Sequence, residues 1–261
     1  MIPKIIHYCW FGEKPLDEVS RKCIESWKKF FPDYQIIQWN ETNFDVNQIK
    51  FMEQAYFDKK WAFVSDVARL LIIYNYGGIY FDTDVEVIAS FDDIFTEETE
   101  GYFAFEKLGY VSSGVGFAAK PKHPLINQLL EMYMDLDYIF YKSKLSEIAC
   151  PILTTELMKK HGLKLEDTYQ KICGFDVYPT EFFSPMDYYT GKVTISQYTH
   201  TIHWYNSSWN DIESQNYHVL EQKIQRVVGK KIGGQVAGII WGIKKESIIP
   251  YLITRIKKRI F

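Results

Sequence analysis

Apolar residues fall along this chain in blocks whose period alternates between that of a strand and that of a helix. Residues 2–10 form a short apolar run that reads as a first buried strand. Over residues 16–30, Leu16, Val19, Cys23, Ile24, Trp27 and Phe30 recur at helical spacing with charges between them. Tyr34–Trp39 reads as a second strand and Asn40–Asn43 as a turn. Residues 47–75 are predicted largely helical, with Ile49, Met52, Tyr56, Val64, Val67, Leu70, Leu71 and Tyr74 apolar. Gly77 and Gly78 end that helix, because glycine suits the left-handed cap. Ile79–Phe81 is then a buried strand, and Val85–Val87 an edge strand beyond it. Strands are expected at Tyr102–Glu106, Gly114–Ala119 and Thr201–Tyr205, and helices at Pro124–Met134 and Pro151–His161. This alternation of strands and helices predicts an α/β sheet with ligands beyond the C-terminal strand ends.

Composition narrows the picture. A chain of 261 residues with 47% hydrophobic and 24% charged residues can bury one sizeable core. The four cysteines, at 9, 23, 150 and 173, form no C-x-x-C pair. With no signal-like opening they are expected to be reduced thiols in a cytoplasmic protein. No apolar run is long enough to span a bilayer. Charge is unevenly spread: residues 220–261 hold ten Lys/Arg and two Glu, a local +8 in a chain of net −3. The expected division is a catalytic domain over residues 1–215 and a basic, helical tail over 216–261. The tail carries two apolar stripes, Leu220, Ile224, Val227 and Val228, then Leu252, Ile253, Ile256 and Ile260. Basic amphipathic segments of this kind lie on anionic membrane surfaces, which would put the protein at the inner face of the cell membrane. Packing of the stripes on the domain is the alternative. No nucleic-acid partner is expected.

The chemistry concentrates in SDVARLLIIYNYGGIYFDTD, residues 65–84. Asp82 and Asp84 form an Asp-x-Asp pair at a predicted strand end, and paired carboxylates suit a hard divalent cation that also binds substrate phosphates. Apolar residues on both sides place the pair beside the core instead of on a polar loop. Asp66 and Arg69 lie one helical turn apart among apolar residues, so they need partners. They can pair with each other, or with the Asp-x-Asp, and bind donor hydroxyls or phosphate. His203 lies in HWYNSSW, residues 203–209, where it is either a core histidine or a ligand. His7 and Trp10 carry the same ambiguity; the Trp10 ring can fill core or lie against a nucleobase.

In order and spacing these blocks resemble glycosyltransferase family 32, the DxD sugar transferases. That family includes yeast initiating α-1,6-mannosyltransferases and bacterial capsule and lipopolysaccharide enzymes, and the chain is also similar to the transferase domain of the large clostridial toxins. The likeness rests on IPKIIHYCWFG (2–12), SDVARLLIIYNYGGIYFDTDV (65–85), SSGVGFAAKPKHPLI (112–126) and HWYNSSW (203–209). Ser113 departs from the pattern, since many relatives carry Asn there. The resemblance implies a GT-A-type, Rossmann-like fold, a nucleotide-sugar donor, Mn²⁺ or Mg²⁺, and retention of anomeric configuration. It implies that Trp10 stacks on the base, with His7 and Tyr80 also on the donor. Asp66 and Arg69 would hold the sugar, Asp82 would contact ribose or, through water, the metal, Asp84 would ligate the metal directly, and His203 would be a metal or diphosphate ligand. Ser208 and Trp209 would close over the diphosphate, and Ser112, Ser113 and Gly114 would meet the acceptor. The expected reaction is transfer from a UDP-hexose, or alternatively GDP-mannose, to a glycan or lipid-linked acceptor. No carboxylate stands out as a nucleophile, so front-face attack is expected by family analogy. A metal-dependent phosphohydrolase and a non-catalytic glycan-binding module are the other classes.

Overall fold

The structure, a computed structural model, describes residues 1–107, 109–207 and 212–245. It divides into two compact units. The larger comprises Met1–Pro185 and Thr194–Tyr205. The smaller comprises Met186–Val193 and the described residues from Asn206 onward.

In the larger unit, β1 (Ile5–Cys9), β2 (Gln35–Trp39) and β3 (Gly78–Tyr80) run parallel, with β1 in the middle. β7 (Phe117–Ala119) joins β3 antiparallel and is followed by β5 (Gly101–Lys107), β9 (Phe175–Tyr178) and β8 (Gln170–Ile172). β6 (Tyr110–Ser112) pairs with β5 off this path. Because β7 is antiparallel to both neighbours, β3 and β5 point the same way and end at one edge of the sheet. A separate two-stranded ribbon joins β4 (Val85–Val87) to β10 (Thr201–His203).

Helices cover both faces. On one side α2 (Lys50–Phe57), α3 (Trp61–Tyr76), α4 (Pro124–Met134), the short α5 (Tyr138–Tyr141) and α6 (Cys150–Lys160) share a core with Tyr80, Phe103, Phe105 and Phe117. On the other, α1 (Glu18–Phe30) buries Cys23, Ile24 and Trp27 with Ile79, Phe81 and Tyr102, and the short α7 (Thr180–Phe183) adds Phe183. Asp17 caps α1 by accepting from Ser20 N at 2.7 Å. The helix predicted across 47–75 is two helices. α2 stops at Phe57, and Lys59 takes a left-handed backbone at φ +56° that no α-helix accommodates. The strand predicted at Gly114–Ala119 shortens to β7, and its first residues become a loop crossing the sheet edge. Val85–Val87 is a strand, but it leaves the main sheet for the ribbon with β10. β6, β8 and β9 lie in segments that were read without strands.

Two positions fix how α3 turns into β3. Gly77 caps the helix at φ +65°. Gly78 follows at φ +99°, where an added Cβ would lie 2.6 Å from the Ile5 carbonyl oxygen. That close approach lets β3 pair with β1. Past Asp84, β4 is anchored by Trp27, whose fully buried Nε1–H donates to the Val85 carbonyl at 2.7 Å. Trp27→Phe should destabilise the fold by about 2 kcal/mol, because the Val85 carbonyl loses its donor in a dry site. Urea denaturation measures this; a loss below about 0.5 kcal/mol would mean the bond contributes nothing net.

The smaller unit is built on a helical hairpin, α8 (Ile212–Val228) and α9 (Lys230–Lys245). α9 approaches α8 through small residues: a Cβ on Gly233 would lie 2.8 Å from Gln225 Cα, and Ala237 is fully buried. Tyr217 and Trp241 meet edge to face at 5.6 Å. The segment 186–193 joins through Gln222, which donates to the Tyr188 carbonyl, and Lys230, which pairs with Asp187 at 2.6 Å. No described helix is long and apolar enough to cross a membrane.

Candidate active site

The C-terminal ends of β1 and β3 open onto a cluster of buried charge. Arg69 is 3% exposed, on the buried face of α3. Its Nη2 lies 3.1 Å from Asp66 Oδ1 and 3.0 Å from Asp82 Oδ1, so one guanidinium joins the helix to the Asp-x-Asp turn. The ring of Tyr80 lies under the guanidinium, 4.8 Å from Cζ, and the Tyr80 hydroxyl donates to Asp82 at 3.1 Å. The loop before β7 closes over the same group. Ser113 Oγ is 3.4 Å from Arg69 Nη1, and Ser112 Oγ accepts from Gly114 N at 3.0 Å. A Cβ on Gly114 would lie 2.9 Å from Asp82 Oδ2, so a bare backbone is needed there.

Asp84 meets His203 across the β4–β10 ribbon, with Oδ1 3.2 Å from Nε2. Asp82, Asp84 and His203 each offer a ligand atom, and these atoms all lie within 4.8 Å of one another. Burial pushes the Asp82 carboxyl up to about 6; Arg69 opposes the rise and Asp84 adds to it. Burial would lower the His203 imidazole, but the Asp84 carboxylate outweighs it and holds the group above its ordinary value. Burial also raises Asp66, against the pull of Arg69. Asp66 and Asp82 against one guanidinium, and Asp84 against one imidazole, crowd three acids together, and a divalent cation would offset that charge. The buried His203 Nδ1 has no partner among the described residues. Two carboxylates and an imidazole fit Mn²⁺ or Mg²⁺.

The remaining expected residues sit differently. His7 is fully buried, with Nε2 3.0 Å from the Gly77 carbonyl and Nδ1 accepting from Trp39 at 3.0 Å. Burial lowers it to about 4, so it is a neutral brace between β1, β2 and the α3 cap, enclosed by protein. Trp10 is half-buried at the end of β1, where its Nε1–H donates to the Lys14 carbonyl at 2.6 Å. Ser112, Ser113 and Gly114 line the Arg69 side of the cluster. Ser208 and Trp209 lie outside the described residues.

Two groups escaped the sequence reading. Cys150, the first residue of α6, places its thiol 4.0 Å from Arg69 Nη1 and 3.9 Å from Ser112 Oγ. Its backbone and thiol also act to lower the Asp66 carboxyl, against the effect of burial. Glu106, near the end of β5, is felt electrostatically at both Asp66 and His203. Neither belongs to a local motif, so no sequence signal marks them.

Comparison with known proteins agrees with this geometry. Residues 17–100 match the family described as glycosyltransferase sugar-binding region containing DXD motif, a segment that includes Asp66, Arg69, Asp82 and Asp84. The chain is 29% identical over 151 residues to inositol phosphoceramide mannosyltransferase 1 of Schizosaccharomyces pombe, covering 54% of this chain and 45% of the relative. It is also 29% identical over 163 residues to human alpha-1,4-N-acetylglucosaminyltransferase, covering 62% of this chain and 41% of that one. The chain thus spans somewhat under half the length of these curated relatives. Among solved structures, PaToxG glycosyltransferase superposes with a TM-score of 0.50 at 21% identity, over 61% of this chain and 69% of that one. This likeness supports the expected α/β glycosyltransferase fold.

Metal affinity should fall with acid. Protonation of Asp82 near pH 6 and of His203, held above its ordinary value, each removes a ligand as pH drops. Calorimetric titration with Mn²⁺ at pH 7.5, 6.5 and 5.5 should show at least about a tenfold loss across the series. A flat profile would take Asp82 and His203 out of the ligand set.

Proposed function

We propose that the chain is a retaining, metal-dependent glycosyltransferase. It moves a hexose from a nucleoside diphosphate sugar to a glycan or lipid-linked oligosaccharide in capsule, exopolysaccharide or lipopolysaccharide synthesis. The observation that carries this reading is the meeting of two sites. The Asp82–Asp84–His203 group suits a diphosphate-bound cation, and the Asp66–Arg69 pair beside it suits sugar hydroxyls. The relatives' names, a mannosyltransferase and an N-acetylglucosaminyltransferase, support hexose transfer. A UDP-sugar is the first expectation for the donor and GDP-mannose the second.

In this reading Trp10 stacks on the base at the end of β1. Asp66 and Arg69 hold the sugar, and Cys150 and the α6 N-terminus orient Asp66. The Ser112–Gly114 loop, next to Arg69, meets the acceptor side. Ser208 and Trp209 cover the diphosphate. When bound, the divalent ion supplies Lewis-acid stabilisation to the leaving diphosphate. Arg69 contributes fixed positive charge in a dry pocket, where it acts more strongly than in water.

Asp84→Ala should lower metal-dependent nucleotide release from a panel of UDP- and GDP-sugars by at least about 100-fold, with the thermal transition kept within a few degrees. Excess EDTA should abolish release by the unaltered protein. Undiminished turnover in either case would remove the metal from the reaction.

The proposal includes an anionic membrane surface as partner, through the basic tail at the inner face of the cell membrane. The second apolar stripe, beyond residue 250, lies outside the described residues. The hairpin supports the reading from another face. Ile232, Ile239 and Ile243 are 52%, 38% and 43% exposed, on the side of α9 opposite Gly233 and Ala237. α9 carries two lysines at each end and no acid, as an interfacial helix would. Ile239→Glu should weaken flotation with acidic vesicles by about tenfold while leaving nucleotide release unchanged. Equal flotation of the variant, or equal binding to neutral vesicles, would leave the tail without this role.

A further inference from the structure

We propose that Glu106 is the catalytic carboxylate that faces the anomeric carbon of the donor and stabilises positive charge on the sugar as its bond to the diphosphate breaks. The inference rests on the glycosyltransferase reading above and adds a group that no motif names.

Strand placement carries the first part of the argument. β3 and β5 run the same way on either side of β7, with Ile79 opposite Ala118 and Ala118 opposite Tyr102. Counting forward from that shared level brings Asp82 and Phe105 to the same height. Glu106 therefore leaves the sheet at the edge where the Asp-x-Asp does, about two strand spacings, or roughly 10 Å, away. That is the span of a hexose with its phosphate linkage.

Local geometry carries the second. The β5–β6 register shifts between Phe105 and Lys107, so Glu106 occupies the irregular position. Bulges re-aim side chains and are common beside active sites. The backbone there is held firmly, since the Glu106 carbonyl accepts from Ser184 Oγ at 3.1 Å and from the Tyr205 hydroxyl at 3.2 Å. Tyr205 itself has φ +52°, and its ring lies 4.2 Å from that of His203. Such strain collects where the surrounding structure imposes it. The irregular position is thus tied to the metal side of the pocket.

Charge carries the third. The Glu106 carboxylate acts on Asp66 and Cys150 at the sugar end and on His203 at the metal end. In the proposed complex the scissile bond lies between those ends. No described side chain forms an ion pair or hydrogen bond with this carboxylate. A carboxylate kept for an oxocarbenium-like sugar meets its partner only in the transition state.

The test compares Glu106→Gln, Glu106→Asp and Glu106→Ala with the unaltered protein, using the same nucleotide-sugar panel and Mn²⁺ calorimetry. Glu106→Gln should lower kcat by at least about 100-fold, with the donor KM and Mn²⁺ affinity changed less than about threefold. Glu106→Asp should recover part of the loss, and sodium formate or azide should partly rescue Glu106→Ala by restoring an anion. A merely structural role predicts loss of metal affinity or fold in parallel, and no rescue. Near-normal kcat in Glu106→Ala, or loss of Mn²⁺ binding in Glu106→Gln, would overturn the assignment. If the unaltered protein releases nucleotide from no sugar nucleotide, the transferase reading falls first and the role of Glu106 falls with it.

Discussion

A single guanidinium organises the pocket. Arg69 is almost wholly removed from water, a state tolerable only when its charge is matched at close range. Asp66 matches it from within α3, and Asp82 from the end of β3. The helix is thereby locked in rotation against the strand that follows it, through a Gly77–Gly78 connection too short to correct an error. The Tyr80 ring beneath, the Gly114 backbone and the Cys150 thiol all take their places from the same group. Without Arg69, two buried carboxylates would face each other with no cation between them.

The pocket remains unbalanced after that pairing. Asp82 and Asp84 sit one residue apart with His203 the nearest compensating group, and burial makes their charge costly. A divalent cation bound there would offset this imbalance. Because the ribbon of β4 and β10 supplies His203, residues far apart in sequence come within 4.8 Å of one another. The anchoring of β4 by Trp27, on the opposite side from the pocket, is part of the same construction.

The smaller unit obeys different rules. Its helices meet through glycine and alanine, which lets the backbones approach closely and leaves larger apolar residues on the outer side of α9. A hairpin packed in this way presents isoleucine to its surroundings instead of spending it on a core.

Much of this was legible in the sequence. The alternation of apolar blocks marked β1, α1, β2, β3 and α4 within a residue or two or three, because local periodicity and glycine or proline punctuation decide such elements. The i, i+3 spacing of Asp66 and Arg69 and the Asp-x-Asp beside an apolar run were enough to nominate the pocket. Burial of His7 was not legible, since a histidine on a strand reads the same whether it meets a ligand or, as here, Trp39 and Gly77. Nor was the break at Lys59, where backbone geometry overrode a continuous apolar pattern. The strand β9 was hidden by its dependence on a partner, β5, that is some 70 residues away in the chain, and β8 by its dependence on β9. Cys150 and Glu106 became visible only when α6 and β5 were brought to the edge where β3 ends. Local pattern determined which residues could carry charge into a core. Only long-range strand pairing decided which of those charges would meet, because that pairing depends on contacts between segments that carry no mark of one another.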